Sequence, residues 1–405
     1  MENNCYDGIN GITDFSPWIF KLHELKSVIQ TKTMIENHKI HLITSTNAEA
    51  GTLETLPVTQ NMDSMSSDDL TQSNLYFSKD DKVCITSESS IDVVVSRMLD
   101  VDRKKAIEML KDKFAFRKIL STIYPDYQYK HIKIEAIKSL HITKKAVIKP
   151  LKGCFGTAVR IIDETTNCGD LFNELKADLD KNGAVFSDTV LSKNDFIIED
   201  FISGEEYAVD MFYDAEGKPH IVNIYHHPMP KEEAYLHVVY CTSKDIFNRI
   251  YDKAITFFTA LNKILNVTNF LIHSEFRLDN GLLMPIEMNP MRFGGMGLGN
   301  MVYHGLGINP YAYFAQNKSP NWVEIWAENP TDIYAFFIAY NGKSIDKTLF
   351  KPNIEQLKKE FTTVLLAKIF DYKTQLAFGI FIIKEDVENL KKLLNIEFDD
   401  FFEPI

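Results

Sequence analysis

The segment from Phe270 to Gly295 constrains the fold of this chain more than any other. Two runs of alternating apolar and polar residues, Phe270–Leu278 and Leu282–Asn289, flank Asp279-Asn280-Gly281. An Asn-Gly pair between such runs is a strong hairpin signal, because both residues accept the backbone conformation a tight turn demands. Side chains alternate faces along a strand. Phe270, Ile272, Phe276 and Leu278 therefore share one face, and His273, Glu275 and Arg277 the other. In the second strand Glu287 and Asn289 share a face, with Met284, Ile286 and Met288 opposite. Closing the hairpin brings the two polar faces together. Glu275, Glu287 and Asn289 then form an all-oxygen cluster, with His273, Arg277 and Arg292 around it.

Elsewhere the chain alternates hairpins and helices. Glu206 to Tyr225 reads as two β-rich runs joined by Asp214-Ala-Glu-Gly217. Spacing of three and four between apolar residues predicts a helix from Val101 to Ile123, stopped by Pro125. Further helices are expected at Gly169–Asp180, Lys244–Leu265, Ile354–Phe361 and Glu385–Leu394, and strands at Ala146–Pro150, Ala158–Ile162, Phe196–Glu199 and Ala377–Ile383. The first hundred residues are poorly patterned. His41–Thr44 and Lys82–Thr86 look like strands and Ile91–Leu99 like a helix, while Ser45–Ser78 reads as a long polar loop or a degraded α/β layer. The class is mixed α+β, and 405 residues predict two to four domains. Trp322 and Trp326, four apart, fit helix packing.

Composition narrows the function. A hydrophobic fraction of 45% and a charged fraction of 25% are those of an ordinary globular protein. A net charge of −12 disfavours a chain whose task is gripping nucleic-acid phosphates. The five cysteines (Cys5, Cys84, Cys154, Cys168, Cys241) are scattered, without a C-x-x-C pair, which is poor material for a disulfide framework and fits a reducing cytoplasm. No basic and apolar leader begins the sequence, and no apolar run approaches the ~20 residues that span a bilayer. A soluble cytoplasmic protein without a membrane or nucleic-acid partner is expected.

Three motifs carry chemistry. Hard oxygen ligands at Glu275, Glu287 and Asn289, with cations nearby, suit Mg²⁺ shared with a phosphate chain. In Val147-Ile-Lys-Pro-Leu-Lys-Gly-Cys-Phe-Gly-Thr157, a lysine at a strand end precedes two glycines, so an ammonium and backbone N–H groups can surround phosphates. It is neither a Walker A loop nor a G-x-G-x-x-G fingerprint. In Phe196-Ile-Ile-Glu-Asp-Phe-Ile-Ser-Gly-Glu-Glu-Tyr207, acids at Glu199 and Glu206 can accept from an amino group or from sugar hydroxyls. Each motif alone also suits a solvated polar surface; their order and spacing give them weight.

Together the three resemble the ATP-grasp superfamily of carboxylate–amine ligases, over roughly Lys113 to Gly299; Lys111-Asp-Lys-Phe-Ala-Phe-Arg117 also looks like the family's segment before its first nucleotide-binding strand. The resemblance implies two α+β lobes sandwiching ATP, behind an N-terminal α/β domain and ahead of a small C-terminal α+β extension. The expected boundaries are 1–112, 113–198, 199–330 and 331–405. It implies that Lys113 and Lys149 contact ATP phosphates and that the Gly153–Gly156 loop closes over them. Glu199 would face the adenine amino group, with the Asp200 carbonyl and Ile202 N–H as backbone partners, and Glu206 would hold the ribose. Glu275, Glu287 and Asn289 would bind Mg²⁺, or Mn²⁺ in its place, and Arg292 would stabilise the transferring phosphoryl group. Arg277 is a candidate grip for a substrate carboxylate, and His226 or His227 for a substrate contact. Two departures stand out. Pro290 and Met291 separate Asn289 from Arg292, where many relatives have one residue, and the glycine loop is sparse. The implied reaction joins a small carboxylic acid, activated as an acyl phosphate, to an amine such as an amino acid. Alternatives are a non-amine acceptor (thiol, carbonate or macromolecule) or an ATP-binding regulator without catalysis. Relatives of this kind are often dimers, so a homodimer is also expected.

Overall fold

The computed structural model describes residues 39–45, 52–53, 55–57, 62–153, 156–182, 191–228 and 238–405. Of the features read from the sequence, Cys5, much of 46–61, Cys154 and Phe155, and Met229–Glu233 lie outside the described residues. Among those described, Cys84, Cys168 and Cys241 carry free thiols, and no helix is long and apolar enough to cross a membrane.

A parallel three-stranded sheet comes first, with β1 (Ile40–Thr44) between β2 (Met62–Ser66) and β3 (Lys82–Ile85). Helices α1 (Ser67–Gln72) and α2 (Ile91–Arg97) accompany it. The single helix expected over 101–123 is two, α3 (Val101–Lys111) and α4 (Lys113–Leu120). Asp112 breaks it: its backbone is extended (φ −90°, ψ 111°) and its carboxylate accepts from the Ala115 N–H at 2.9 Å. Aspartate in that position satisfies one of the orphan donors of a new first turn, so the capping chemistry outweighs the apolar periodicity.

Next is a four-stranded sheet in the order β4 (Tyr129–Lys133), β7 (Asp195–Asp200), β5 (Ala146–Pro150), β6 (Arg160–Ile162), covered by α5 (Cys168–Asn182). Its core holds Ile148, Leu175 and Phe196, all fully buried.

The rest is built on one eight-stranded antiparallel sheet. In chain order its strands are β8 (Glu205–Tyr213), β9 (Pro219–His227), β10 (Val239–Ser243), β11 (Phe270–Asp279), β12 (Leu282–Pro290), β13 (Ile333–Tyr340), β15 (Thr363–Ile369) and β16 (Ala377–Glu385). In space they run β12-β11-β8-β9-β10-β13-β16-β15. Helix α6 (Lys244–Leu265) lies on the apolar face, where Phe257 and Phe258 meet the Phe276 ring edge-on at 5.2 and 5.8 Å. Three short helices follow β12: α7 (Met301–Leu306), α8 (Pro310–Gln316) and α9 (Trp322–Glu328). Trp322 and Trp326 stack on one another in α9 and pack on Phe247 of α6. Beyond them, β14 (Phe350–Pro352) pairs with β17 (Phe402–Pro404) beside α10 (Ile354–Lys358) and α11 (Val387–Leu393).

The sheet crosses position 330 without a break. Strand β13, Ile-Tyr-Ala-Phe-Phe-Ile-Ala-Tyr, pairs with β10 on one side and β16 on the other. Six of its eight residues are buried on both faces, as suits an interior strand.

Candidate active site

Apart from His226 and His227, every residue nominated from the sequence lines one cavity of about 1000 Å³ between the two antiparallel sheets, which the loop after β3 also reaches.

The four-stranded sheet supplies Lys149 at the end of β5, Gly153 and Gly156 beyond it, and Glu199, Asp200 and Ile202 at the end of β7. Lys149 Nζ lies 2.6 Å from Glu199 Oε1, and Arg117 Nε lies 2.6 Å from Glu199 Oε2. Burial on its own raises the Glu199 carboxyl; Arg117 and Lys149 more than reverse this and hold it at about 2. Lys149 sits below its ordinary range because burial outweighs the attraction of Glu199, with Arg117 and Lys113 adding repulsion. Both Glu199 oxygens are therefore engaged, and an adenine amino group reaching them would share an oxygen with a cation. The Asp200 carbonyl accepts from Tyr127 Oη at 2.7 Å, and a carbonyl oxygen can accept a second bond.

The eight-stranded sheet supplies three rows of side chains. In the first, Arg277 stands opposite Glu206, and Glu206 opposite His227. Arg277 Nη2 is 3.1 Å from Glu206 Oε2, and His227 Nδ1 is 2.8 Å from Glu206 Oε1. In the second row Glu275 faces Glu287, and in the third His273 faces Asn289. A bulge makes these rows: two residues of β12 pass for one of β11 between Glu275 and Phe276, leaving Ile286 extra. Of the two histidines singled out, His227 is buried beside the site, while half-buried His226 packs on Tyr207.

Of the two carboxylates, Glu287 has a close cation. Lys113 Nζ is 2.9 Å from Glu287 Oε1. Burial raises both carboxyls, but Lys113 and Lys111 hold Glu287 below its ordinary value. Glu275 is pushed up by burial, then by Glu287 and Glu206, against weaker pulls from Arg292 and Lys113. Such a surplus of half-buried carboxylate charge, with the Asn289 amide alongside, fits a divalent cation. Among the described residues no group of three or more His, Cys, Asp or Glu side chains forms a metal cage. Two carboxylates and an amide would hold only part of a six-oxygen shell, leaving room for phosphate oxygens and water.

Three further residues belong to the site and were not nominated from the sequence. Arg117 also donates to the Pro285 carbonyl at 2.7 Å, tying α4 to the hairpin. Its place in the Lys111–Arg117 motif was the available signal. Glu88, just after β3, pairs with Arg292 Nη2 at 2.9 Å and with Lys111. Burial raises its carboxyl, but Lys111 and Arg292 bring it down to about 2. Nothing in Ser87-Glu-Ser-Ser90 distinguishes Glu88 from a solvated turn. Asp210, fully buried in β8, accepts from His273 Nδ1 at 2.7 Å, Tyr225 Oη at 2.7 Å and the Gly294 N–H at 2.9 Å. A lone acid inside the apolar run Tyr207–Tyr213 is its signal.

A family model described as an ATP-grasp domain matches residues 142–300, which hold the glycine loop, Glu199, Glu206 and the whole β11–β12 hairpin. The chain carries an ATP-grasp domain. Three solved structures extend the likeness of fold. An L-amino acid ligase from Bacillus licheniformis is 18% identical, with 91% of this chain and 98% of that one covered and a TM-score of 0.59. A phosphoribosylglycinamide synthetase from Anaerococcus prevotii is 15% identical, covered at 91% and 100%, with a TM-score of 0.52. A carboxyaminoimidazole ribonucleotide synthase from Aspergillus clavatus complexed with ATP is 11% identical, covered at 91% and 100%, with a TM-score of 0.56. No curated protein sequence matches the chain. The ATP-grasp fold with its N-terminal parallel layer thus spans nine-tenths of the molecule.

Proposed function

We propose that this ATP-grasp protein is an ADP-forming ligase that activates a small carboxylic acid as an acyl phosphate and joins it to an amine, an amino acid being the favoured class. The observation that carries this reading is the convergence of Lys113, Lys149, Arg277 and Arg292 with Glu275, Glu287 and Asn289 on one cavity. A site that only held a nucleotide would have no need of two facing carboxylates and an arginine beyond them. Phosphoryl transfer asks little covalent help of the protein, mainly positioning and neutralisation of charge.

In this reading Lys113 and Lys149 bind phosphate oxygens, the Gly153–Gly156 loop covers them, and Glu206 holds the ribose. Asp200 and Ile202 present backbone groups to the base, beside the Glu199 ion pairs. Glu275, Glu287 and Asn289 hold Mg²⁺, which screens charge along the phosphate chain. A substrate carboxylate oxygen attacks the γ-phosphorus, the bond to the bridging oxygen breaks, and ADP leaves. The amine nitrogen then attacks the acyl carbon, loses its proton to solvent and expels phosphate. Arg292 faces the charge that develops in the first step, and Arg277 is placed to grip a substrate carboxylate. Free thiols at the described cysteines fit a reducing cytoplasm for this chemistry.

Phosphate release from Mg-ATP, measured across amino acids and small carboxylic acids singly and in pairs, tests the reading. Stimulation by a particular pair is expected, falling about 10²–10³-fold in Glu287→Ala. ATP binding without stimulated release by any acid would instead identify a regulator.

A further inference from the structure

The cavity does not end at the charged groups. Along one row of the eight-stranded sheet the side chains run Arg277, Glu206, His227 and then turn apolar. Tyr240 stacks face to face on His227 at 4.2 Å and 8°, and Phe336 stands directly opposite Tyr240 across the β10–β13 pair. Ile338 and Tyr340, two and four residues further along β13, share the Phe336 face. The turn after Arg292 brings Met296 and Leu298 to the same wall. Tyr240, Phe336, Ile338 and Leu298 are buried, and Met296 and Tyr340 half-buried at its rim.

Arg292 marks where one environment gives way to the other. Its Nη1 lies 3.6 Å from the point where a side chain on Gly295 would begin, one residue before Met296. A volume near 1000 Å³ is at the upper end for a single small ligand, leaving space beside a nucleotide. The polar rows match the base, sugar and phosphates of that nucleotide. The faces of the base have apolar cover of their own beside Asp200 and Ile202, in Val147, Ile161 and Phe201 of the four-stranded-sheet side, which leaves the Tyr240–Phe336 wall on the other sheet for a different group.

We propose that this wall is a specificity subsite, and that one of the two organic substrates carries a large aliphatic or aromatic side chain seated on Tyr240, Phe336, Ile338 and Tyr340. The ligase reading supplies the second substrate; the subsite supplies its chemical class. Its reactive end lies toward Arg292, and its side chain away from the phosphates. Removing apolar surface from water favours such a ligand, whereas a charged side chain there would lose hydration without a partner.

The test is equilibrium binding to the full chain, by titration calorimetry with and without ATP, of L-phenylalanine, L-leucine and 3-phenylpropionate against L-serine and L-aspartate. At least one apolar ligand should bind about tenfold or more tighter than the polar pair. Met296→Asp and Tyr340→Asp, both at the rim, should reduce that preference about tenfold while leaving binding of a fluorescent ATP analogue unchanged. Aspartate suits position 296, where φ is +56°. Equal or stronger binding of serine or aspartate, no binding of any apolar ligand, or an unaltered preference in both variants would overturn the subsite. Selective binding of an apolar ligand with no pair stimulating phosphate release would remove the ligase reading and leave the subsite standing. Turnover of small polar substrates alone would do the reverse.

Discussion

Glu199 and Glu88 are each held at about 2 by a pair of cations, against burial that would otherwise push them up from an ordinary 4.5. A carboxyl depressed in the folded state adds stability that is complete above its unfolded value. That contribution is lost as pH falls through the folded one. Stability should therefore decline between about pH 4.5 and pH 2, read as urea midpoints across that range. Arg117→Met leaves Glu199 one partner short inside the protein. It should lower stability by about 3 kcal/mol or more at neutral pH and shrink the acid decline, because the folded Glu199 value rises toward the unfolded one; an unchanged midpoint would show the pair to be dispensable. Glu88 lines the cavity and pairs with Arg292. Glu88→Gln should lower kcat about tenfold or more, with the KM for ATP changed far less, because a small misalignment of a positioned group is expensive in rate. Equal changes in both would point to nucleotide binding instead.

At the scale of elements, the β11–β12 hairpin was legible because its alternation and its Asn-Gly turn agree. Those two signals alone would set Glu275 opposite Ile286; it is the bulge that sets it opposite Glu287. The bulge at Ile286 was not legible, since Pro285 fits an edge strand as well as a bulge and β12 is an edge strand. The Asp112 break was hidden by good helical spacing on both sides. Strands β10 and β13 were missed for a related reason: buried on both faces, they show no alternation to detect. The turn entering β8 offers a test of how tightly it packs against the end of β11. Gly204 has φ +91°, and a Cβ there would come within 2.1 Å of the Leu278 carbonyl oxygen. Gly204→Ala should destabilise the chain by more than the ~1 kcal/mol usual for such a change, measured by chemical denaturation.

For the molecule as a whole, the boundary at 330/331 divides the sequence but not the sheet. Strand β13 covers the edge of β10, and its apolar side chains join Tyr240 and Leu298 in one cluster. A chain ending at residue 330 would expose that edge and that cluster together, and should be recovered insoluble or aggregated. A monomeric truncated protein with native-like circular dichroism would show the C-terminal strands to be an accessory. Glu88 escaped the sequence reading at this same scale. Its significance depends on Arg292, which lies 204 positions away, and no local pattern can report such a partner.

That separation bears on how the protein is assembled in time. Glu88 with Arg292, Lys113 with Glu287 and Arg117 with the Pro285 carbonyl are 204, 174 and 168 residues apart. Each closes a loop spanning most of the folded sheets, and contacts of such range form slowly because much chain entropy is surrendered before they can help. During synthesis the hairpin bearing Glu287 emerges long after the lysine that meets it, so Lys113, Arg117 and Glu88 wait on the ribosome for Glu287, Pro285 and Arg292. The cavity is in this sense the last thing the chain makes.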